Sequence, residues 1–90
     1  MTIDELQKPT VHMNGTSRAA LGRQYEEASE GLRKALDAMV PMSPNGRDYY
    51  PQGPGAIDVA VAQHEARIAR VREALVEVDA LWEHLANGEP

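Results

Sequence analysis

The sequence predicts an all-α protein: an antiparallel two-helix hairpin with a short N-terminal helix and extended segment, assembling into a helical-bundle oligomer. Three observations carry this expectation. Two long stretches repeat apolar residues at alternating spacings of four and three, the signature of helices packed along a seam. A breaker-rich stretch, Pro41 to Gly55, separates them and holds four of the six prolines and three of the seven glycines. With no Phe and only 4% aromatic residues, a core must be built from aliphatic side chains and alanine, which suits helix bundles. The organisation reads as an N-terminal arm over 1–16, a hairpin over 17–86 (helix 17–40, loop 41–55, helix 56–86) and a tail over 87–90.

At the N-terminus, Thr2 followed by Glu5 is a capping-box pattern that predicts a short helix with Ile3 and Leu6 on its apolar face. Pro9 stops it. Thr10 to Asn14 then alternates, with Val11 and Met13 on one side and His12 and Asn14 on the other, as an extended segment does. Gly15, Thr16 and Ser17 precede the first long helix, and Thr16 or Ser17 is suited to accept the orphan amides of its first turn. The first seam is Leu21, Tyr25, Ala28, Leu32, Ala35 and Met39, widened by Leu36 and Val40 and closed by Pro41. On the outer face, Arg23 with Glu27 and Glu30 with Lys34 are spaced for solvated ion pairs. Gly22 and Gly31 each cost roughly 1 kcal/mol against alanine inside a helix, so either a second backbone or ligand approaches there or they reflect drift.

The second helix has the seam Ile57, Val61, His64, Ile68, Val71, Leu75, Val78, Trp82 and Leu85, with Asn87-Gly88 as its stop. Matching Met39 with Ile57 across the hairpin aligns Leu32 with His64, Tyr25 with Val71 and Leu21 with Leu75. In that register the first helix runs out, and Val78, Leu81, Trp82 and Leu85 need cover from the arm or from another chain. The opposite end, Ala56 to Ala62, is apolar nearly all the way round. Both ends point to a homo-oligomer, most simply a dimeric four-helix bundle, with a trimer as the alternative.

Composition narrows the function classes. A formal charge of -5 disfavours general nucleic-acid binding, which needs a dense basic face. The absence of cysteine removes thiolate chemistry, disulfides and Cys-based zinc sites, and fits a reducing compartment. MTIDELQKP lacks the pattern of a secretory signal and no run of 18 apolar residues occurs, so a soluble protein of the cytoplasm, without a membrane partner, is expected. No P-loop, Ser/His/Asp set or nucleotide glycine fingerprint is present, so neither catalysis nor a cofactor is expected.

Two polar clusters are candidate binding elements. In the loop, Pro44-Asn45-Gly46 forms a turn, Arg47 forks two donors toward a phosphate or carboxylate, and Tyr49 and Tyr50 offer rings for stacking beside Asp48. The competing reading ties Arg47 to Asp48 and uses the tyrosines as a plug at the hairpin tip. A protein contact surface is a third use of the loop. The second cluster is His12, Asn14, Thr16 and Ser17, where the free amides at the start of the first helix favour an anion and Gly15 permits close approach. Here the competing reading is an N-cap and a turn. The two clusters lie about 36 Å apart along one helix, at 1.5 Å per residue from Ser17 to Val40, so one ligand meets both only if the loop of one chain approaches His12 to Ser17 of another.

His64 on the seam reads as a buried histidine bonded to Tyr25, Ser29 or a partner chain. His64-Glu65 begins a zincin-like motif, but Ile68 stands in the second ligand position, so no metal site is expected. Arg67, Arg70 and Arg72 form a basic patch ahead of Glu73, Glu77, Asp79 and Glu83, either self-paired in solvent or facing an anion or a neighbouring chain.

At HMNGTS and PNGRDYYPQG the chain resembles small helical proteins encoded in bacterial viruses and prophages. The resemblance spans Val11 to Leu85 and implies a viral or mobile-element origin, hence the cytoplasm of a bacterial host, and carries over no catalytic residue. By architecture alone the chain is also similar to phage cyclic-nucleotide sponges, oligomeric helical hairpins that trap second messengers between chains. The expectation is a non-enzymatic homo-oligomer capturing a small anionic ligand, such as a nucleotide or cyclic nucleotide, at a chain interface. In it, Arg47 meets phosphate, Tyr49 or Tyr50 stacks, Asn45 reads polar edges, and His12, Asn14, Thr16 and Ser17 of a neighbour donate. The alternative is a structural or protein-binding bundle, a phage accessory protein or host-factor inhibitor, with loop 41–55 as its contact surface.

Overall fold

The computed structural model describes residues 2–88. Two long helices, α1 (Arg18–Met39) and α2 (Ala56–Ala86), pack along each other, and no strand occurs among the described residues. α2 alone, at 31 residues, is about 46 Å long, and the whole chain measures 61 × 23 × 19 Å. No helix among the described residues is long and apolar enough to cross a membrane.

α1 begins because Ser17, extended at φ -64 and ψ 154, turns its Oγ back to accept the Ala20 amide at 3.1 Å. Of the two possible caps, Ser17 is the one used. The helix ends where Pro41 withdraws a donor, and the chain tightens into a 3-10 turn over Val40–Met42. Upstream, the expected short helix is reduced to one 3-10 turn, Ile3–Glu5, and the capping box does not form, since Thr2 makes no side-chain cap bond. Three residues offer too few apolar contacts to support a full helix. The extended segment also breaks early: the Gly15 amide donates to the His12 carbonyl at 3.1 Å, which reverses the chain and leaves Met13 96% exposed instead of packed beside Val11.

The register across the hairpin differs from the one the seam suggests. His64 Nε2 lies 3.4 Å from Ser43 Oγ, not beside Leu32, Tyr25 or Ser29, so the pairing is displaced by eleven positions. Ser29 instead donates to Asp79 Oδ1 at 2.7 Å, and Asp79 Oδ2 accepts from Arg33 Nη2 at 2.7 Å. At the far end Arg18 Nη1 donates to the Leu85 carbonyl, which also accepts from the Gly88 amide at 3.0 Å, and this places a positive charge at the C-terminus of α2.

This displacement changes what covers α2. α1 reaches the C-terminal turns, where Leu75 and Leu85 are buried and Val78, Leu81 and Trp82 are half-buried within one chain. The arm supports the same half, since Thr2 and Ile3 sit beside Glu73, Val76 and Glu77. Loop 41–55 covers the other half, leaving Ala56, Ile57, Ala60 and Val61 half-buried. The two regions expected to need a second chain are thus covered in part by their own, while Val59 and Ala62 stay exposed.

The surface pairs Arg23 with Glu27 and Glu30 with Lys34 do not close; the one ion pair among the described residues is Arg33 with Asp79. Gly22 and Gly31 have no heavy atom within 4 Å of the place a Cβ would occupy, so nothing in the chain itself requires glycine there.

Candidate functional site

Five of the nine candidates belong to the loop, which lies back on the first three turns of α2. Three short 3-10 turns stiffen this loop: Val40–Met42, Gly46–Asp48 and Tyr50–Gln52. Gly53 at φ 111 and Gly55 at φ 116 then take left-handed backbone that side-chain-bearing residues avoid, and the chain swings directly into α2.

Two grooves result, one on each side of a ridge formed by Pro44 and His64. The larger, about 420 Å³, is lined by Met42, Tyr49, Gln52, Gln63 and Arg67 among others. The smaller, about 300 Å³, includes Ser43, Glu65, Ile68 and Arg72. Both also touch Pro44 and His64. On the far side of Tyr49 the ring meets a third depression of about 400 Å³ with Tyr50, Gly53 and Ile57. Tyr49 is therefore a wall shared by two surfaces, half-buried, whereas Tyr50 is 76% exposed.

Within the loop, Asn45 Oδ1 accepts from the Arg47 amide at 2.9 Å and from Arg47 Nε at 3.2 Å. Asn45 thus caps the Gly46–Asp48 turn and steadies the guanidinium, and Arg47 makes no ion pair with Asp48. Asn45, Arg47, Asp48 and Tyr50 are exposed, and of the five loop candidates only Tyr49 lines the larger groove.

The second cluster lies at the other end of α1, beside the C-terminus of α2. Ser17 is occupied as the helix cap, and Asn14 and Thr16 are exposed. The His12 ring lies over Gly15, with Nε2 2.8 Å from where an alanine Cβ would stand, so a side chain there would displace the exposed ring. One chain does not bring the clusters together: the 22 residues of α1 hold them about 33 Å apart.

Of the basic patch expected either to pair in solvent or to face an anion or a neighbouring chain, Arg67 and Arg72 each line a groove. The pairing of Ser43 with His64 was missed altogether. A loop serine carries no periodic signal, because its partner depends on the path of the loop. Gln63, one residue before His64, is the clue that periodicity could have supplied for a polar groove wall. No family model, curated protein or solved structure matches this chain.

Proposed function

We infer that the protein is a non-enzymatic binding protein that takes a small anionic ligand bearing a flat ring, such as a nucleotide or cyclic nucleotide, in the larger groove between loop 41–55 and α2. The observation that carries this reading is that a half-buried tyrosine, two glutamines and an arginine line one groove of about 420 Å³. That volume lies within the range of small-molecule sites, roughly 300 to 1,000 Å³. Tyr49 supplies a face for stacking, and Arg67 presents a planar fork of donors suited to phosphate. Gln52 and Gln63 offer both donors and acceptors to the edges of a base. The positive end of the α2 dipole sits at the same groove through Ala56. In this reading Arg67 is the main anion anchor, while Asn45, Arg47, Asp48 and Tyr50 form a rim.

Ser43 and His64 are of nucleophile and base type but lack the orienting third group of a catalytic set. The hydroxyl is 3.4 Å from the imidazole, and no carboxylate among the described residues bonds the ring to orient it as a base. A binder of this kind suits a phage or prophage accessory protein, the type the resemblance implies.

The test is thermal shift and calorimetry against nucleotides and cyclic nucleotides, with Arg67→Ala, Tyr49→Ala and Arg47→Ala. At least one nucleotide is expected to raise the melting temperature, Arg67→Ala and Tyr49→Ala to abolish the shift, and Arg47→Ala to weaken it. If no nucleotide moves the native melting temperature, the reading fails. One observation favours a protein-binding alternative: Val40, Met42 and Val59 are 63%, 57% and 57% exposed around the loop. That reading expects Met42→Ser or Tyr50→Ala to weaken a protein complex while nucleotides have no effect.

A further inference from the structure

Along the first half of α2 the inner seam is covered, and the opposite face is bare. Val59, Ala62, Ala66 and Ala69 follow one another at spacings of three, four and three, and all four are exposed. At 100° per residue they lie about 160° round the helix from the inner seam of Ile57, Val61, His64, Ile68 and Val71. Further along α2 this outer face is covered: Glu77, Ala80 and Leu81 are half-buried, His84 is buried, and Thr2 and Ile3 sit at Glu73 and Glu77. The cover stops at Glu73, and for the three turns before it an apolar seam meets water.

The exposed area shows that more than a local patch is involved. The chain presents 6538 Å² to solvent. A compact monomer of 9.9 kDa presents about 5,200 Å². The excess of about 1,300 Å² exceeds the roughly 800 Å² that each partner loses in a standard protein interface. Among the described residues only Leu75 and Leu85 are buried apolar side chains, so a single chain has little core of its own.

The charges beside the seam indicate the occupant and its direction. Asp58 and Glu65 flank one edge, and Gln63 and Arg70 flank the other. Two copies of this face laid side by side in parallel bring the acidic edge of each against the basic edge of the other. Laid antiparallel, each edge meets itself and Glu65 faces Glu65. We propose that a second copy of this chain docks along Val59, Ala62, Ala66 and Ala69, with the two α2 helices parallel and Glu65 of each reaching Arg70 of the other. The alanines let the helices approach closely, and Val59 with the neighbouring, 57% exposed Met42 widens the apolar contact at the loop end. Val59 and Met42 also line the larger groove and Glu65 the smaller one, so this interface adjoins both grooves.

The chain has no cysteine, so a single introduced thiol is an unambiguous reporter. Under oxidation Ala69→Cys is expected to give a covalent dimer, because a parallel seam places residue 69 against its own counterpart. An antiparallel seam puts residue 69 opposite Val59, about 15 Å along the helix from its counterpart, too far for a disulfide. Light scattering is expected to give a dimer for the native chain and a monomer of unchanged helical circular dichroism for Ala66→Arg. Glu65→Arg is expected to weaken dimerisation about tenfold, and adding Arg70→Glu to restore it. A native monomer at high micromolar concentration, a dimer that survives Ala66→Arg, failure of Ala69→Cys to cross-link, or failure of the charge swap to rescue would each overturn the proposal.

Discussion

At the scale of single residues, the glycines separate into those with a backbone duty and those without one. Gly55 enters α2 at φ 116, where a β-carbon collides with the neighbouring carbonyl, so Gly55→Ala is expected to cost about 1–3 kcal/mol. Because the loop depends on that entry angle, the variant should also widen the groove at Tyr49. Gly31 presents the opposite case. It is exposed in mid-helix, and an added Cβ meets nothing within 4 Å, so Gly31→Ala should raise stability by up to about 1 kcal/mol. Urea unfolding of the two variants distinguishes them by sign. If Gly31→Ala destabilises, some contact absent from the single chain occupies that position. Gly15 is intermediate: its backbone is ordinary, but the His12 ring must move to admit a methyl group.

At the scale of elements, the junction of α1 and α2 is held by a small polar circuit as well as by Leu75 and Leu85. Ser29 is 2% exposed; its hydroxyl donates to Asp79 and accepts from Arg33 Nε at 3.4 Å. Removing it leaves a carboxylate on the helix interface short of a donor, so Ser29→Ala should cost about 1–3 kcal/mol. The Arg33 side chain is 61% exposed, and Arg33→Ala should cost no more than about 1 kcal/mol, because an exposed ion pair is screened by water. Equilibrium denaturation checks the order, and a larger loss from Arg33 than from Ser29 would contradict it. This circuit also shows why the register was not legible in the sequence. Eleven residues are very nearly three helical turns, so sliding α1 by eleven positions keeps the same apolar stripe inward, and heptad spacing has no means of separating the two alignments. What fixes the true alignment is a set of single contacts: Ser29 with Asp79, Ser43 with His64 and Arg18 with Leu85. The helical class and the packing of two long helices were legible because they rest on many residues at once. The path of the loop rests on Gly53 and Gly55, and the groove that brings Tyr49 to Arg67 exists only once that path is known.

At the scale of the whole molecule, α2 is a spine whose halves are covered by different parts of the chain, and this makes their stabilities separable. The C-terminal half lies between α1 and the arm, where Leu6, Lys8, Pro9 and Val11 are half-buried; the N-terminal half carries the loop and its grooves. Removing residues 1–12 should therefore uncover Glu77, Ala80, Leu81 and His84 while leaving Ala56 to Ile68 with their contacts. Each apolar side chain newly exposed costs stability at about 25 cal/mol per Å², and the loss should be local, since contacts in an elongated molecule are made mainly with near neighbours. Amide hydrogen exchange is the discriminating measurement. Protection at Val76 to Ala86 should fall in the shortened chain while protection at Ala60 to Ile68 is retained. Nucleotide-induced stabilisation, which depends on Tyr49 and Arg67, should persist wherever the shortened chain stays folded. Equal loss of protection along all of α2 would mean that the helix opens as one unit, and that the arm supports the groove from the opposite end of the spine.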